Sequence, residues 1–468
     1  MKFRDLVLRL FLIAAVVISL VCTWYIWFNP AHLDRKRTTG STTVKTSTTT
    51  TAEHEKNVFE PLNVYFQQNG SKSLAARNDG RIASRIRRGI SSWRISSVGA
   101  SHKLSLENYD KLLALDDSVQ MTYWGDMNWQ TFDKMYFKKT ALKHAKDFKF
   151  NRIVFNLRTQ KMMLVNDAAR TMRRVKLHKK YAFTPITGAI SKAKSNYKLV
   201  EKRMGTREVA FYNGNFSVKQ YTYILDKQGA NHYINALMSD GNNAPSSVDA
   251  KQLGNQTVYT MNDNNQRLAV DRNDSMMEYE NFATAGPAKT TTKVLRSAYN
   301  DMNRLKIKEM RGMSYYSYDQ TSGSVMFRKI VNGLPIISDL LSGSVEVTHT
   351  NASKRIAFSG DNLSVAIPTS TTTVKMPSSQ TVLSELLAKG IKLSSITDLQ
   401  LAYAWTKDSD SSQVVDLVPT YFVQVNGEYY NYQDIVDGTV STAGMNTKSD
   451  ANVDTEDTGA NAEFSVNN

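Results

Sequence analysis

The chain has 468 residues, 41% hydrophobic and 22% charged, which is the composition of globular domains and excludes a disordered or fibrous chain. Its 59 Lys and Arg against 43 Asp and Glu leave a net charge of +16, which favours anionic partners: nucleic acid, lipid head groups or wall polymers. The one cysteine, Cys22, excludes an intramolecular disulfide, and an exported protein without disulfides fits a bacterium.

The first element is apolar. Leu10 to Phe28 carries no Asp, Glu, Lys or Arg. As a helix it spans roughly 28 Å at about 1.5 Å per residue, close to the hydrocarbon core of a bilayer. A cleaved signal core is shorter and ends in small residues, whereas this one ends in Trp24, Tyr25, Trp27 and Phe28, which suit a membrane–water interface. Branched Val21 before Cys22, and the aromatics after it, argue against a lipoprotein signal. Lys2, Arg4 and Arg9 before the segment nearly balance Arg35, Lys36 and Arg37 after it. Long domains translocate largely regardless of charge, and "TTGSTTVKTSTTTT" reads as an external stalk, so the N-terminus is expected inside. Nucleic acid is then out of reach as a partner. Ala15, Ser19 and Thr23 recur every four residues on one face, where small and hydroxyl side chains let a partner helix approach.

"NVFEPLNVYFQQNG" predicts a strand turning at Asn69-Gly70. In "LAARNDGRIASRIRRGISSWR" an apolar stripe of Ile82, Ile86, Ile90 and Trp93 and a basic stripe of Arg77, Arg81, Arg85 and Arg88 predict an amphipathic helix. A basic face is commonly just solvated; as a site it would contact anions. A helix at "LSLENYDKLLAL", a strand at "SVQMTYW", a helix from Trp129 and a hairpin turning at 158–160 follow. Trp129, Phe132 and Tyr136 at helical spacing read as core rather than as a sugar platform. A long helix is expected through "TGAISKAKSNYKLVEKRM", then a strand at "FSVKQYTYILD", a helix at "QGANHYINALM" and paired strands in "NQTVYTMNDNNQRLAVDRND". Two later stretches share an order: a helix, an aromatic strand, a polar turn, a second strand, then Val-Asn-Gly opening a third. The matching turns are Val331-Asn332-Gly333 and Val425-Asn426-Gly427. The acidic, polar end is expected to be disordered.

Chemistry-bearing motifs are missing from the sequence. No two histidines lie within a helical turn, and there is no HExxH, GxSxG, Walker or GxGxxG pattern. "DRNDSMMEYENF" spaces oxygens like a calcium loop but puts Met276 and Phe282 where Gly and the bidentate acid belong. No catalytic residue, metal site or cofactor is therefore assigned, and the chain is read as a non-enzyme. A glycosidase needs only two carboxylates placed by the fold, so a wall hydrolase stays as a distant alternative, behind a wall-polymer-binding or adhesion protein.

The expected fold class is α+β: one N-terminal transmembrane helix and a three-domain extracytoplasmic body of helices and antiparallel sheets. The divisions are a cytoplasmic N-terminus 1–9, a membrane helix 10–28, a tether 29–57, an N-terminal domain 58–180, a central domain 181–285, a C-terminal domain 286–435 with an internal repeat, and an acidic tail 436–468. The expected location is the cell membrane, single-pass, with the body outside.

The helix exit "SLVCTWYIWFNP" and the late strands "LAYAW" and "LVPTYFVQVNGEYYNY" give the chain its likeness: it resembles the YycH (WalH) family of Gram-positive bacteria. The related YycI proteins share the layout with a much shorter exterior. The resemblance implies a non-enzymatic accessory regulator in the WalK/WalR (YycG/YycF) two-component system. Its partners would be the WalK (YycG)-like sensor histidine kinase, a YycI-like single-pass protein and membrane lipid, with anionic wall polymers as a further candidate. It also implies three α+β domains, the last two related. Contacts between membrane helices, at Ala15, Ser19 and Thr23, and between exported domains would tune kinase output and so cell-wall metabolism.

Overall fold

The structure, a computed structural model, describes residues 55–446 apart from 77–81, 139–145, 192, 194, 239–247, 262–264, 272–274, 284–285, 287, 308–309, 368–371 and 408–410. The apolar segment 10–28 lies outside the described residues; among them no helix is long and apolar enough to cross a membrane.

Ten strands form the first sheet: β1 (Asn63–Gln68), β2 (Ser71–Ala76), β3 (Ile95–Val98), β4 (His102–Lys103), β5 (Ser118–Asn128), β6 (Lys149–Asn156), β7 (Lys161–Asn166), β8 (Thr171–Leu177), β9 (Ser195–Met204) and β10 (Arg207–Tyr212). Their order is β10-β9-β2-β1-β5-β6-β7-β8-β3, with β4 also on β8. Asn69 and Gly70 take φ of 51° and 71°, the left-handed pair that closes a two-residue hairpin, as expected from Asn-Gly.

Helix α1 (Ile82–Ile90) buries Ile82, Ile86 and Ile90 on the sheet, and Trp93 just past its end joins the same core. Gly89 is there for packing: a β-carbon on it would sit 2.5 Å from Cβ of Pro185 in helix α4 (Thr184–Ile190). Helix α2 (Leu106–Leu113), capped by Ser105, covers the opposite face with Tyr109 and Leu113. Helix α3 (Trp129–Tyr136) buries Trp129 against Phe148, Phe132 against Phe150 and Tyr136 against Phe132 and Phe137, so the aromatic patch is core.

The second sheet has fourteen strands. From Asp249–Leu253 it runs antiparallel through Gln256–Met261, Gln266–Asp271, Met276–Asn281, Lys354–Ser359, Ser344–His349 and Ser324–Val331. Leu334–Ile337 then pairs in parallel with Ile396–Lys407, followed by Val414–Val425, Tyr221–Lys227 and Asp361–Ile367. Both Val-Asn-Gly stretches form left-handed two-residue turns: Asn332 and Gly333 at φ 48° and 86°, Asn426 and Gly427 at 54° and 87°. Each turn closes a unit of helix, hairpin and third strand, behind Thr291–Arg304 in one case and Ser379–Ala388 in the other.

Three expectations need correction. The long helix through residue 204 is a short helix, α4, followed by strand β9, in which Tyr197 and Leu199 lie opposite Leu74 and Lys72 of β2. Pairing with an existing sheet overrides the helix propensity of the Lys-rich sequence. Residues 181–285, read as a central domain, are shared out: β9 and β10 extend the first sheet, while Tyr221–Lys227 and the strands of 249–281 belong to the second. At the C-terminal end, residues 436–446 pack on the body. Met445 is buried, and Asn446 bonds the backbone of Gly390 and Lys392. Residues 447–468 lie outside the described residues.

Candidate functional site

The described residues form one compact unit, and its two sheets meet along a polar seam. The seam begins at a break in β5, where pairing with β6 shifts register between Thr122 and Met127. The freed residues cross the strand Met313–Asp319, and Gly125 permits the approach: a β-carbon there would sit 2.7 Å from Cα of Ser317. Tyr315 donates its hydroxyl to the Asp126 carbonyl at 2.6 Å. Trp124 stacks on Tyr316 at 5.4 Å between ring centroids, and its indole N–H donates to the Tyr429 hydroxyl at 3.2 Å.

Tyr429 in turn donates to Asp398 Oδ2 at 2.6 Å, and Tyr316 donates to Gln400 Oε1 at 2.7 Å. Arg207 of β10 lies over the Trp124 ring at 5.3 Å and donates to the Trp124 carbonyl at 3.0 Å. Asp398 is completely buried, and burial pushes its carboxyl up to about 6 against the pull of Arg207 and the Tyr429 hydroxyl. Glu208 beside Arg207 is pushed up to about 7, by burial first and by the charge of Asp167 second.

A second cluster lies under the first sheet. Arg152 is 1% exposed and donates to Asp167 at 2.9 Å, to Glu201 at 2.8 Å and to Gln120 at 2.8 Å. Lys72 closes the cluster on Glu201. Burial alone would raise the Glu201 carboxyl, but Arg152 and Lys72 outweigh it and hold it at about 2. A cavity of about 60 Å³ separates the clusters, lined from one sheet by Arg152, Arg207 and Trp124 and from the other by Asp398 and Gln400. It has room for a few water-sized molecules and is well below the ~300 Å³ at which ligand pockets begin. The arrangement joins one sheet to the other through buried hydrogen bonds around a carboxyl that burial holds above its usual range.

Ala15, Ser19, Thr23, Trp24, Tyr25, Trp27, Arg77 and Arg81 lie outside the described residues. Arg85 is half-buried, and Arg88 is exposed with its guanidinium on the Ser84 carbonyl at 3.3 Å. The arginine of this helix that is fixed by charge is Arg87, buried among the isoleucines and donating to Glu60 at 2.7 Å. Sequence reasoning missed it, as it missed Arg152, Arg207 and Asp398. Gly125 is the residue that could have pointed to the seam, since an isolated Gly inside a strand pattern marks a close backbone approach.

Fold and seam thus define a two-sheet α+β body locked by buried polar contacts. Residues 7–181 match the family model described as YycH protein, N-terminal domain, and residues 209–435 match that described as YycH protein, C-terminal domain. The chain belongs to the YycH family, and that membership implies a regulatory accessory role in the WalK system. The crystal structure of YycH from Bacillus subtilis shares the fold at 12% sequence identity and a TM-score of 0.64, covering 81% of this chain and 96% of that chain. No curated protein matches. Strand β9 and the first two residues of β10 fall between the two matched segments and deliver Glu201 to one cluster and Arg207 to the other.

Proposed function

We propose that this protein is a membrane-anchored, non-enzymatic regulator that associates with a WalK-like sensor histidine kinase and a YycI-like single-pass protein, and thereby adjusts cell-wall metabolism. The observation that carries the reading is the pair of family matches, which run in order along most of the chain and begin within the apolar segment's basic flank. Leu10 to Phe28 spans the membrane with the N-terminus inside, and Trp24, Tyr25 and Trp27 sit at its outer interface. Ala15, Ser19 and Thr23 form the face that packs on a partner helix. The exported body contacts the partners' exterior domains. Such a regulator shifts the kinase between signalling states only by binding one state more tightly than the other.

The test is the double exchange Ser19→Leu and Thr23→Leu in the full chain. Bulkier side chains on that face should lower recovery of the kinase in pull-downs from membranes while the chain stays in the membrane. Undiminished recovery would remove this face from the account.

A further inference from the structure

At the far end of the first sheet from the seam lies a groove of about 460 Å³ between the β6–β7 turn, β8 and the segment that follows β8. Lys161, Arg174, Lys176, Lys179 and Lys180 line it, with Tyr181 at its end. Among the described residues no carboxylate lines the groove, and none of these five cations forms an ion pair. The sequence explains why. Between Asp167 and Glu201 there is no acidic residue but nine Lys and Arg. Like charges gathered on adjacent strands oppose folding, so an anionic occupant would relieve that repulsion. The floor is apolar, made by Met162, Val175 and Leu177.

The groove is tied to the point where the chain enters the body. Asn57 and Glu60, at the start of the body, both accept from Arg87 of α1, at 2.9 and 2.7 Å. Just past α1, Trp93 stacks on Tyr181 at 5.4 Å, and the Arg94 amide donates to the Tyr181 hydroxyl at 3.0 Å. Arg94, beside the groove's Tyr181, is exposed. Residues 29–54, between the apolar segment and the body, reach at most about 90 Å when fully extended at roughly 3.3–3.6 Å per residue. An anchored chain therefore holds the groove within a thin layer over the bilayer, where weak attractions of several cations to lipid phosphates act together.

We propose that this groove docks on anionic phospholipid head groups of the membrane that anchors the chain. The proposal rests on the anchored reading given above. Lipid phosphates fill the basic lining, and the glycerol region meets the apolar floor.

The full chain is reconstituted into vesicles of phosphatidylcholine, with or without phosphatidylglycerol, and an amine-acylating probe is read lysine by lysine by mass spectrometry. Phosphatidylglycerol should slow labelling of Lys161, Lys176, Lys179 and Lys180 roughly fivefold or more, reversibly with salt, and leave exposed Lys251 unchanged. In the K176S/K179S/K180S variant the protection of Lys161 should vanish, whereas K251S/K289S/K293S, with the same charge removed elsewhere, should keep it. Equal labelling in both vesicle types overturns the proposal. So does protection by a soluble poly(glycerol phosphate) but not by phosphatidylglycerol, which would assign the groove to a wall polymer. Flotation with phosphatidylcholine vesicles alone reports the anchor: a chain that does not float defeats the anchored reading itself, whereas one that floats without lysine protection defeats only the groove.

Discussion

The Trp124 indole donates its N–H to the hydroxyl of Tyr429, 305 positions further along the chain, at 3.2 Å. That hydroxyl passes its own proton toward buried Asp398 Oδ2 at 2.6 Å, so one phenol joins the two sheets and gives one carboxylate oxygen its partner. Tyr429→Phe removes both contacts and leaves the indole N–H and the carboxyl short of a partner. The expected cost is about 1–3 kcal/mol in urea unfolding. An unchanged midpoint would mean that the seam does not hold the sheets.

Gly125→Ala tests the same seam without touching a polar group. The added methyl meets the backbone of Ser317 at 2.7 Å, and a backbone atom cannot rotate away. Overpacking of this kind costs about 1–3 kcal/mol, so thermal unfolding should shift down by several degrees. Gly188→Ala is the control, since a β-carbon there meets nothing within 4 Å.

Arg152→Met leaves buried Asp167 without a cation and Glu201 with Lys72 alone. Breaking a buried pair in this way costs about 3–5 kcal/mol. Adding Asp167→Asn should recover part of the loss, because the stranded charge goes with it while Glu201 keeps its pair with Lys72. A double variant less stable than the single one would contradict this. The acid limb carries a second signature. The Glu201 carboxyl is at about 2 in the fold against an ordinary 4.5. The unfolded chain therefore binds the proton first, and this contribution is present above pH 4.5 and lost as pH falls toward 2. Arg152→Met should flatten that limb.

Asp398 has the opposite sign. Its folded value of about 6 lies above the ordinary 3.8, so the fold favours the protonated acid. The contribution is fully present below pH 3.8 and is lost as pH rises through about 6. Asn imitates the protonated form. Asp398→Asn should therefore stabilise the protein by about 1–3 kcal/mol at pH 7.5 and change little near pH 4. Equal effects at both pH values would count against a titrating Asp398.

The sequence made local rules legible. Asn-Gly turns, the isoleucine stripe of α1 and the aromatic face of α3 follow from spacing alone, because neighbours in the chain decide them. β9 was illegible because "YKLVEKRM" has the residues of a good helix, and only the waiting edge of β2 makes it a strand. The polar clusters were hidden by distance. Arg152 meets Asp167 and Glu201 from 15 and 49 positions away, and charge spacing along the chain gives no hint of which pairs will be buried. The hairpin β6–β7 placed Arg152 on a strand, but its alternation could not show that a cation would face inward.

The central claim is that the protein acts by contact with a sensor kinase. The most direct measurement is crosslinking in intact membranes of the native host, followed by purification of the full chain and identification of its partners by mass spectrometry. The account predicts a WalK-like kinase together with a second single-pass protein. Recovery of wall polymer or its synthetic enzymes, with neither of those two, would contradict it.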